Sequence, residues 1–208
     1  MNEYEDFLRG LPALIDGLAT HGHVVCDDFL SPAQTAALRD EGAQRLAGGE
    51  FHRAGVGRAE QQAVRDEIRG DSVRWLDPQR RAPAEQAYWQ RIEALQAALN
   101  RELFLGIREG EFHYAHYPVG GFYKRHLDRF RDDDARVVSV VCYLNEGWQD
   151  ADGGQLRLWL EAGEDAPQLD IAPRGGRLVL FMADRFWHAV LPATQPRWSV
   201  TGWLRRAG

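Results

Sequence analysis

His126 and Asp128 stand two positions apart in "YKRHLDRF", residues 123 to 130, a run that otherwise alternates like a β-strand. In a strand, residues i and i+2 point to the same face, so an imidazole and a carboxylate share one surface. Such a pair alone is a common solvated polar patch, and a metal role requires a third ligand. His188, in the later strand-like run "DRFWHAVLP", is placed to supply it across a rolled-up sheet. Two histidines and one carboxylate are the facial set that holds Fe(II) on one side of an octahedron and leaves three positions for oxygen chemistry. The same three groups also suit a catalytic zinc, so the triad by itself leaves the metal open.

Arg197 narrows the choice. It opens the apolar run "RWSVTGWL", in which residues 197, 199 and 201 share a face. A guanidinium at the bottom of an apolar barrel cannot be neutralised and needs an anionic partner. A dicarboxylate cosubstrate fits that need. One end of 2-oxoglutarate chelates iron through its carboxylate and keto oxygens, the distal carboxylate meets a bidentate arginine, and one position remains for O2.

Other polar clusters read as ordinary structure. His113 and His116 in "HYAHY" are three apart, face opposite ways on a strand, and are core or surface histidines. Trp75, Trp159, Trp187, Trp198 and Trp203 are read as core packing. "RFRDDDA" is a solvated loop, and "GGQ" and "PRGG" are turns, because neither opens a helix as a phosphate cradle would.

The elements that must position the triad follow from periodicity. Phe7, Leu8, Leu11, Leu14, Ile15 and Leu18 recur at helical spacing, with Pro12 expected to bend or shorten the helix. The strand "HVVCDDFL" follows. Ser31 ahead of Pro32 predicts a capped helix start, and Gly48-Gly49 its end. A further helix is predicted from about Ala84 to Leu105, with Tyr88, Ile92, Leu95 and Leu99 on one face and Gly106 after it. Between these helices lies a charged, glycine-punctuated finger that ends in the strand "SVRWL". From residue 111 onward, "EFHYAHYP", "FYKRHLD", "RVVSVVCYLN", "QLRLWLE", "GRLVLFMA", "FWHAVLPA" and "RWSVTGWLR" are short strands divided by turn-formers, the cadence of a β-sandwich or barrel. The expected architecture is α+β, with the helices on one outer face of a strand-built core.

The chain's 208 residues, 44% hydrophobic and 27% charged, suit one well-filled core, so residues 1–208 are read as one domain with a helical part to about 105 and a β core from about 107 to 206. A net charge of −6 and a pI near 5.6 argue against nucleic-acid binding. The acidic "MNEYEDFL" is unlike a signal peptide, and no apolar run approaches the roughly 20 residues of a membrane span. A cytoplasmic protein is expected. Cys26 and Cys142 lie in separate apolar runs and are read as reduced, buried thiols.

The combination of "YPVGGFYKRHLD", "RVVSVVCYLN", the histidine before an "AV" run, and "RWSVT" resembles the iron(II)- and 2-oxoglutarate-dependent prolyl 4-hydroxylases, most of all the branch of the animal oxygen-sensing, HIF-type enzymes and their bacterial counterparts. With "IRGDSVRWLD" the resemblance covers roughly residues 67 to 206. It implies a double-stranded β-helix, the jelly-roll or cupin-like core. His126, Asp128 and His188 then fall on the iron ligands and Arg197 on the 2-oxoglutarate anchor, where collagen-type relatives carry lysine. Tyr143 falls on the hydroxyl partner of that anchor, with Thr201 nearby, and Tyr117 on a cosubstrate-pocket tyrosine. Tyr143 is otherwise readable as a core aromatic.

The same resemblance implies Fe(II), 2-oxoglutarate and O2 as cofactor and cosubstrates, with ascorbate as an accessory small molecule and succinate and CO2 as products. It implies a protein substrate presenting a proline, with elongation factor Tu among the targets of bacterial relatives. The stretch from about His52 to Glu67 falls on the loop that closes over the target, and Arg53, Arg58 and Arg65 suit an acidic or polar protein surface. Two other readings stand beside it. One is an oxygenase of the same chemistry acting on a free amino acid or other small molecule. The other is a binding module without catalysis, which loss of a ligand would mark.

Overall fold

The computed structural model describes residues 3–56, 63–64, 67–128 and 135–207. Ser31 accepts a hydrogen bond from the Gln34 amide while the Gln34 side chain accepts from the Ser31 amide, and this capping box starts α2 (Pro32–Ala47). Gly49, at φ 76°, turns the chain away after it. The first helix, α1 (Glu3–His21), runs through Pro12 as one element and is not shortened there, contrary to one of the two outcomes expected of the proline. Pro12 faces solvent, and burial of Phe7, Leu11, Leu14, Ile15 and Leu18 along the opposite stripe outweighs the hydrogen bond lost at the proline.

The third helix, α3 (Gln86–Leu103), is shorter than its pattern suggests at both ends. It ends on Phe104 in the left-handed region at φ 54°, where a glycine was expected to stop it at 106. The Asn100 side chain makes that ending tolerable. It donates to the Ile107 carbonyl and accepts from the Ile107 amide, both at 2.7 Å, and so closes the turn.

Thirteen strands form the rest among the described residues. The seven-stranded sheet runs β1 (His23–Cys26), β11 (Leu178–Met182), β8 (Arg136–Tyr143), β13 (Arg197–Arg205), β6 (Glu109–Tyr117), β5 (Ser72–Trp75) and β2 (His52–Arg53). The four-stranded sheet runs β10 (Gln168–Ile171), β9 (Leu156–Trp159), β12 (His188–Val190) and β7 (Tyr123–His126). Every pairing in both sheets is antiparallel. This is the double-stranded β-helix that the resemblance implied. The finger is not the plain loop its composition suggests: β3 (Gly55–Val56) pairs with β4 (Ala63–Val64). Arg58, Arg65 and residues 129–134 of the acidic loop lie outside the described residues.

Period-two alternation sorts the core. On β13, Trp198, Val200 and Leu204 face the helices, in one cluster with Leu14, Leu95, Leu99 and Leu38. The intervening Arg197, Ser199, Thr201 and Trp203 face the inter-sheet space. A second cluster, including Val141, Tyr143, Leu158, Val179 and Phe181, glues the two sheets together. Asn145 ties the end of β8 to β13: its amide nitrogen donates to the carbonyls of Pro173 (2.8 Å) and Trp198 (3.1 Å), and its oxygen accepts from the Trp198 amide (2.7 Å).

Some packing expectations fail. Trp75 and Trp187 are 43% and 38% exposed, although Trp159 and Trp198 are buried as expected. Cys142 is buried, but Cys26 is only half-buried because its strand is the sheet's edge; both thiols are free.

Gly202, midway along β13, lies where the neighbouring strand comes close. A Cβ there would strike the Glu111 carbonyl oxygen and lie 2.8 Å from Phe112 Cα. Gly202→Ala is therefore expected to lower folding stability by about 3 kcal/mol, read as a shift in the urea midpoint. A midpoint equal to that of the parent protein would contradict the close β6–β13 approach.

Candidate active site

A cavity of about 240 Å³ opens between the two sheets, and His126, Asp128, His188, Arg197, Tyr117 and Thr201 lie on its wall. His188 and His126 stand directly opposite each other in the β12–β7 pairing. Two residues later the register has stepped, with Val190 opposite Tyr123, so three steps along β7 span two along β12. This bulge re-aims the end of β7 and lets the Tyr123 ring stack flat on His126, with centroids 3.6 Å apart. Asp128 lies beyond the end of β7, so strand alternation alone does not bring it in, as the sequence had suggested. It is drawn in by the Ser139 hydroxyl on β8, which donates to Asp128 Oδ2 at 2.6 Å.

Each histidine is oriented by its own backbone. His126 Nδ1 lies 2.8 Å from the Lys124 carbonyl oxygen and His188 Nδ1 lies 3.1 Å from that of Phe186. A carbonyl only accepts, so Nδ1 carries the proton and Nε2 offers its lone pair. His126 Nε2 is 3.7 Å from Asp128 Oδ1, and His188 Nε2 is 3.4 Å from Asp128 Oδ2. All three ligand atoms lie within 4.8 Å of one another, close enough to converge on one ion with a small inward shift. The donor set therefore fits one metal ion.

Electrostatics prepare the same groups. Burial, reinforced by the facing His188, pushes His126 down to about 3, so it is neutral. Burial would raise the Asp128 carboxyl, but His188, His126 and the Ser139 hydrogen bond outweigh it and hold the group well below the usual carboxylate range. Burial likewise lowers His188, yet Asp128 wins and raises it. A metal ion entering here meets a carboxylate and two imidazoles whose Nε2 atoms face it.

At the floor of the cavity Arg197 is 2% exposed. Its Nε donates to the Gly154 carbonyl at 2.9 Å, and its Cζ lies 5.2 and 5.0 Å from the ring centroids of Tyr117 and Tyr143. Among the described residues no carboxylate is within ion-pair distance of it, and the buried Tyr143 hydroxyl has no hydrogen-bond partner. Burial pushes the Tyr143 phenol up to about 12, against the pull of the Arg197 charge. Tyr143 stands against Arg197 and not on the cavity wall. Thr201 is on the wall, with its hydroxyl donating to the Val140 carbonyl at 3.0 Å. A guanidinium without a carboxylate partner among the described residues, with a phenol beside it, is a receptor for one carboxylate.

The mouth holds residues that sequence reasoning missed. Arg69 and Asp71 form a two-pronged ion pair at 2.7 and 2.6 Å, and the Arg69 guanidinium lies 4.4 Å from the Tyr123 ring centroid. Their Arg-x-Asp spacing just before a strand was the available signal. Arg136 lies over the Trp203 ring at 3.4 Å and pairs with Glu111 at 3.1 Å. His113 and His116 do face opposite ways: His113 lines the cavity, whereas His116 packs on Trp198 with centroids 4.5 Å apart.

Comparisons with known proteins agree with this geometry. A model of the 2OG-Fe(II) oxygenase superfamily matches residues 112–205. The crystal structure of a Pseudomonas putida prolyl-4-hydroxylase is 45% identical, with a TM-score of 0.84, over 95% of this chain and 100% of that one. A prolyl hydroxylase from Trichoplax adhaerens, solved with a peptide fragment of the hypoxia inducible factor oxygen degradation domain, is 27% identical, with a TM-score of 0.85, over 97% and 91% of the two chains. The hypoxia-inducible factor prolyl hydroxylase of Caenorhabditis elegans is 40% identical over 90 residues, which are 42% of this chain but only 12% of that protein's length. Fold, cavity and whole-length similarity together show that the chain belongs to the iron(II)- and 2-oxoglutarate-dependent oxygenases, among the prolyl hydroxylases.

Proposed function

We propose that the protein hydroxylates a prolyl residue of a protein target, with His126, Asp128 and His188 as the Fe(II) ligands and Arg197 as the anchor for the distal carboxylate of 2-oxoglutarate. One observation carries this reading: a ligand-ready triad and a buried guanidinium without a carboxylate partner among the described residues share one small cavity. When bound, the iron and 2-oxoglutarate supply oxygen activation, and 2-oxoglutarate leaves as succinate and CO2.

The chain's own residues then hold, orient and exclude. The Lys124 and Phe186 carbonyls fix the imidazoles, and Ser139 fixes the carboxylate. Arg197, with Tyr143 beside it, sets the far end of the cosubstrate, and Tyr117 and Thr201 complete that end of the pocket. Val141, Leu156 and Phe181 give the pocket apolar walls that keep water from the reacting centre. Trp75 and Trp203, with the ion-paired Arg69 and Arg136 and the exposed Arg53 of the finger, offer an aromatic and polar surface to a peptide. The peptide held by the Trichoplax relative supports a protein target over a free amino acid. Elongation factor Tu is the first target to test, on the likeness to bacterial counterparts. Ascorbate as accessory reductant and a cytoplasmic location belong to the same proposal; the free thiols of Cys26 and Cys142 are in keeping with that location.

The first test is anaerobic titration of the Fe(II)-loaded protein with 2-oxoglutarate, followed by O2 and proline-containing peptides or intact elongation factor Tu under mass spectrometry. A visible charge-transfer band followed by addition of one oxygen atom to a proline is expected. No band would remove the pocket assignment, whereas a band with oxidation only of small molecules would redirect the substrate assignment.

Substitutions separate the two halves of the site. His126→Ala and Asp128→Ala are expected to abolish both Fe(II) binding and turnover. Arg197→Ala should retain Fe(II) but raise the KM for 2-oxoglutarate at least about 30-fold, the effect of losing about 2 kcal/mol from a buried charge pair. Parent-like 2-oxoglutarate affinity in Arg197→Ala would place the anchor elsewhere.

A further inference from the structure

Two side chains next to the triad in sequence and a third from β9 meet on the opposite face of the smaller sheet. Arg125 precedes His126 and Trp187 precedes His188, so alternation turns both away from the cavity while the histidines turn in. Trp159 follows Leu158, which is paired with His188. The Arg125 guanidinium carbon lies 4.6 Å from the Trp159 ring centroid and 5.1 Å from that of Trp187. Its terminal nitrogen donates to the Gly163 carbonyl at 2.7 Å, in the loop between β9 and β10, and the Trp159 indole donates to Glu164 in the same loop at 3.2 Å. Backbone continues the link, with the Trp159 amide donating to the Trp187 carbonyl at 2.9 Å.

We propose that Arg125, Trp159 and Trp187 form an external clamp that positions the metal-ligand pair, with Arg125 and Trp187 as positioning residues for His126 and His188. The need arises from the bulge. The two histidines are paired directly, and the register steps immediately beside them, between His188 and Val190, so the ladder is irregular next to the two candidate ligands. β7 also lies at the margin of its sheet: β12 is its one full ladder among the described residues, and its far side meets residues 68–70 through short contacts, the Lys124 amide donating to the Ile68 carbonyl and the Gly70 amide to the Phe122 carbonyl, both at 2.9 Å. A planar guanidinium packed against two indoles adds a side-chain cross-link over β7, β9 and the start of β12. It carries no charge into the cavity and touches no ligand atom. Its effect on the centre runs through the backbone of the adjoining residue. The two tryptophans read from sequence as core packing thus acquire a more specific task, and the 38% exposure of Trp187 reflects a cluster built on the outer surface.

The clamp rests on the proposed triad, so the test measures both. Co(II) serves as a redox-inert probe, with its affinity followed by its visible absorption in the parent protein, His126→Ala, Arg125→Ala, Arg125→Lys, Trp187→Ala and Trp187→Phe. Loss of Co(II) binding in His126→Ala establishes the centre; equal binding in parent and His126→Ala would overturn the triad reading, and the clamp with it. Against an established centre, Arg125→Ala and Trp187→Ala are expected to weaken Co(II) about tenfold to a hundredfold, as losses of groups that orient metal ligands do. Arg125→Lys should behave like Arg125→Ala, because the charge remains and the stacking plane is lost, and Trp187→Phe should recover most of the affinity. Leu95→Ala, in the helix-side core, is the control: it lowers the melting temperature at least as much while leaving Co(II) affinity unchanged. Co(II) affinity within about twofold of the parent in both Arg125→Ala and Trp187→Ala would overturn the clamp and leave the triad standing, since the expected effect is at least tenfold. Trp187→Ala, at a partly exposed position, preserves the test if the arginine variants do not fold.

Discussion

Charge held out of water is the constraint on which this structure turns. Asp128, Arg197 and Asp71 are each at most 9% exposed, and an uncompensated charge at such depth costs several kcal/mol. Each is answered differently. Asp71 has the Arg69 fork, and Asp128 has a hydroxyl and two imidazoles. Arg197 has one carbonyl and the faces of two tyrosines, the least complete compensation of the three. That incompleteness is how a receptor differs from a structural ion pair: the balance is left for the ligand to supply. The strands around it are organised to keep water away from these groups while leaving one side of each accessible from the cavity.

Alternation is what allows one sheet to serve both ends. On β13 the same nine residues present Trp198, Val200 and Leu204 to the helices and Arg197, Thr201 and Trp203 to the cavity. On β8, Val140 and Cys142 join the helix-side cluster, while Ser139 steadies the Asp128 carboxylate and Tyr143 backs Arg197. The helices contribute no ligand; they seal the outer face so that the inner one can be polar. Close backbone approaches, such as Gly202 against β6, keep this large sheet tight enough for its inner residues to be aimed.

Much of this was legible in the chain, for identifiable reasons. Capping at Ser31, the opposed faces of His113 and His116, and the shared face of Arg197, Ser199 and Thr201 follow from local geometry and survive in the fold. The convergence of His126 with His188 needed a topology that periodicity does not encode; the family resemblance supplied it. Asp128 was placed correctly for a reason that is only half right, because the strand ends before it and a hydroxyl from another strand completes the turn inward. What was missed lay in polar, edge or irregular segments. The β10 segment "QLDI" shows little apolar alternation at a sheet edge, and Arg69 and Asp71 look like ordinary charges until they pair with each other and Arg69 packs on Tyr123. Pro12 shows the converse: a strong local signal overruled by a long buried stripe.

The placement of Cys142 has a consequence for durability. It is the chain neighbour of Tyr143 beside the anchor, yet alternation puts its sulfur on the helix side of the large sheet, fully buried, with burial raising its thiol far above the usual range. A thiol that stays protonated and walled off by a sheet is a poor reductant for peroxide-like species formed when oxygen activation misfires. Self-inflicted oxidation in this protein should therefore fall first on the rings bordering the reaction chamber, Tyr123 and Trp203, and the core should outlast the active site through repeated uncoupled turnovers.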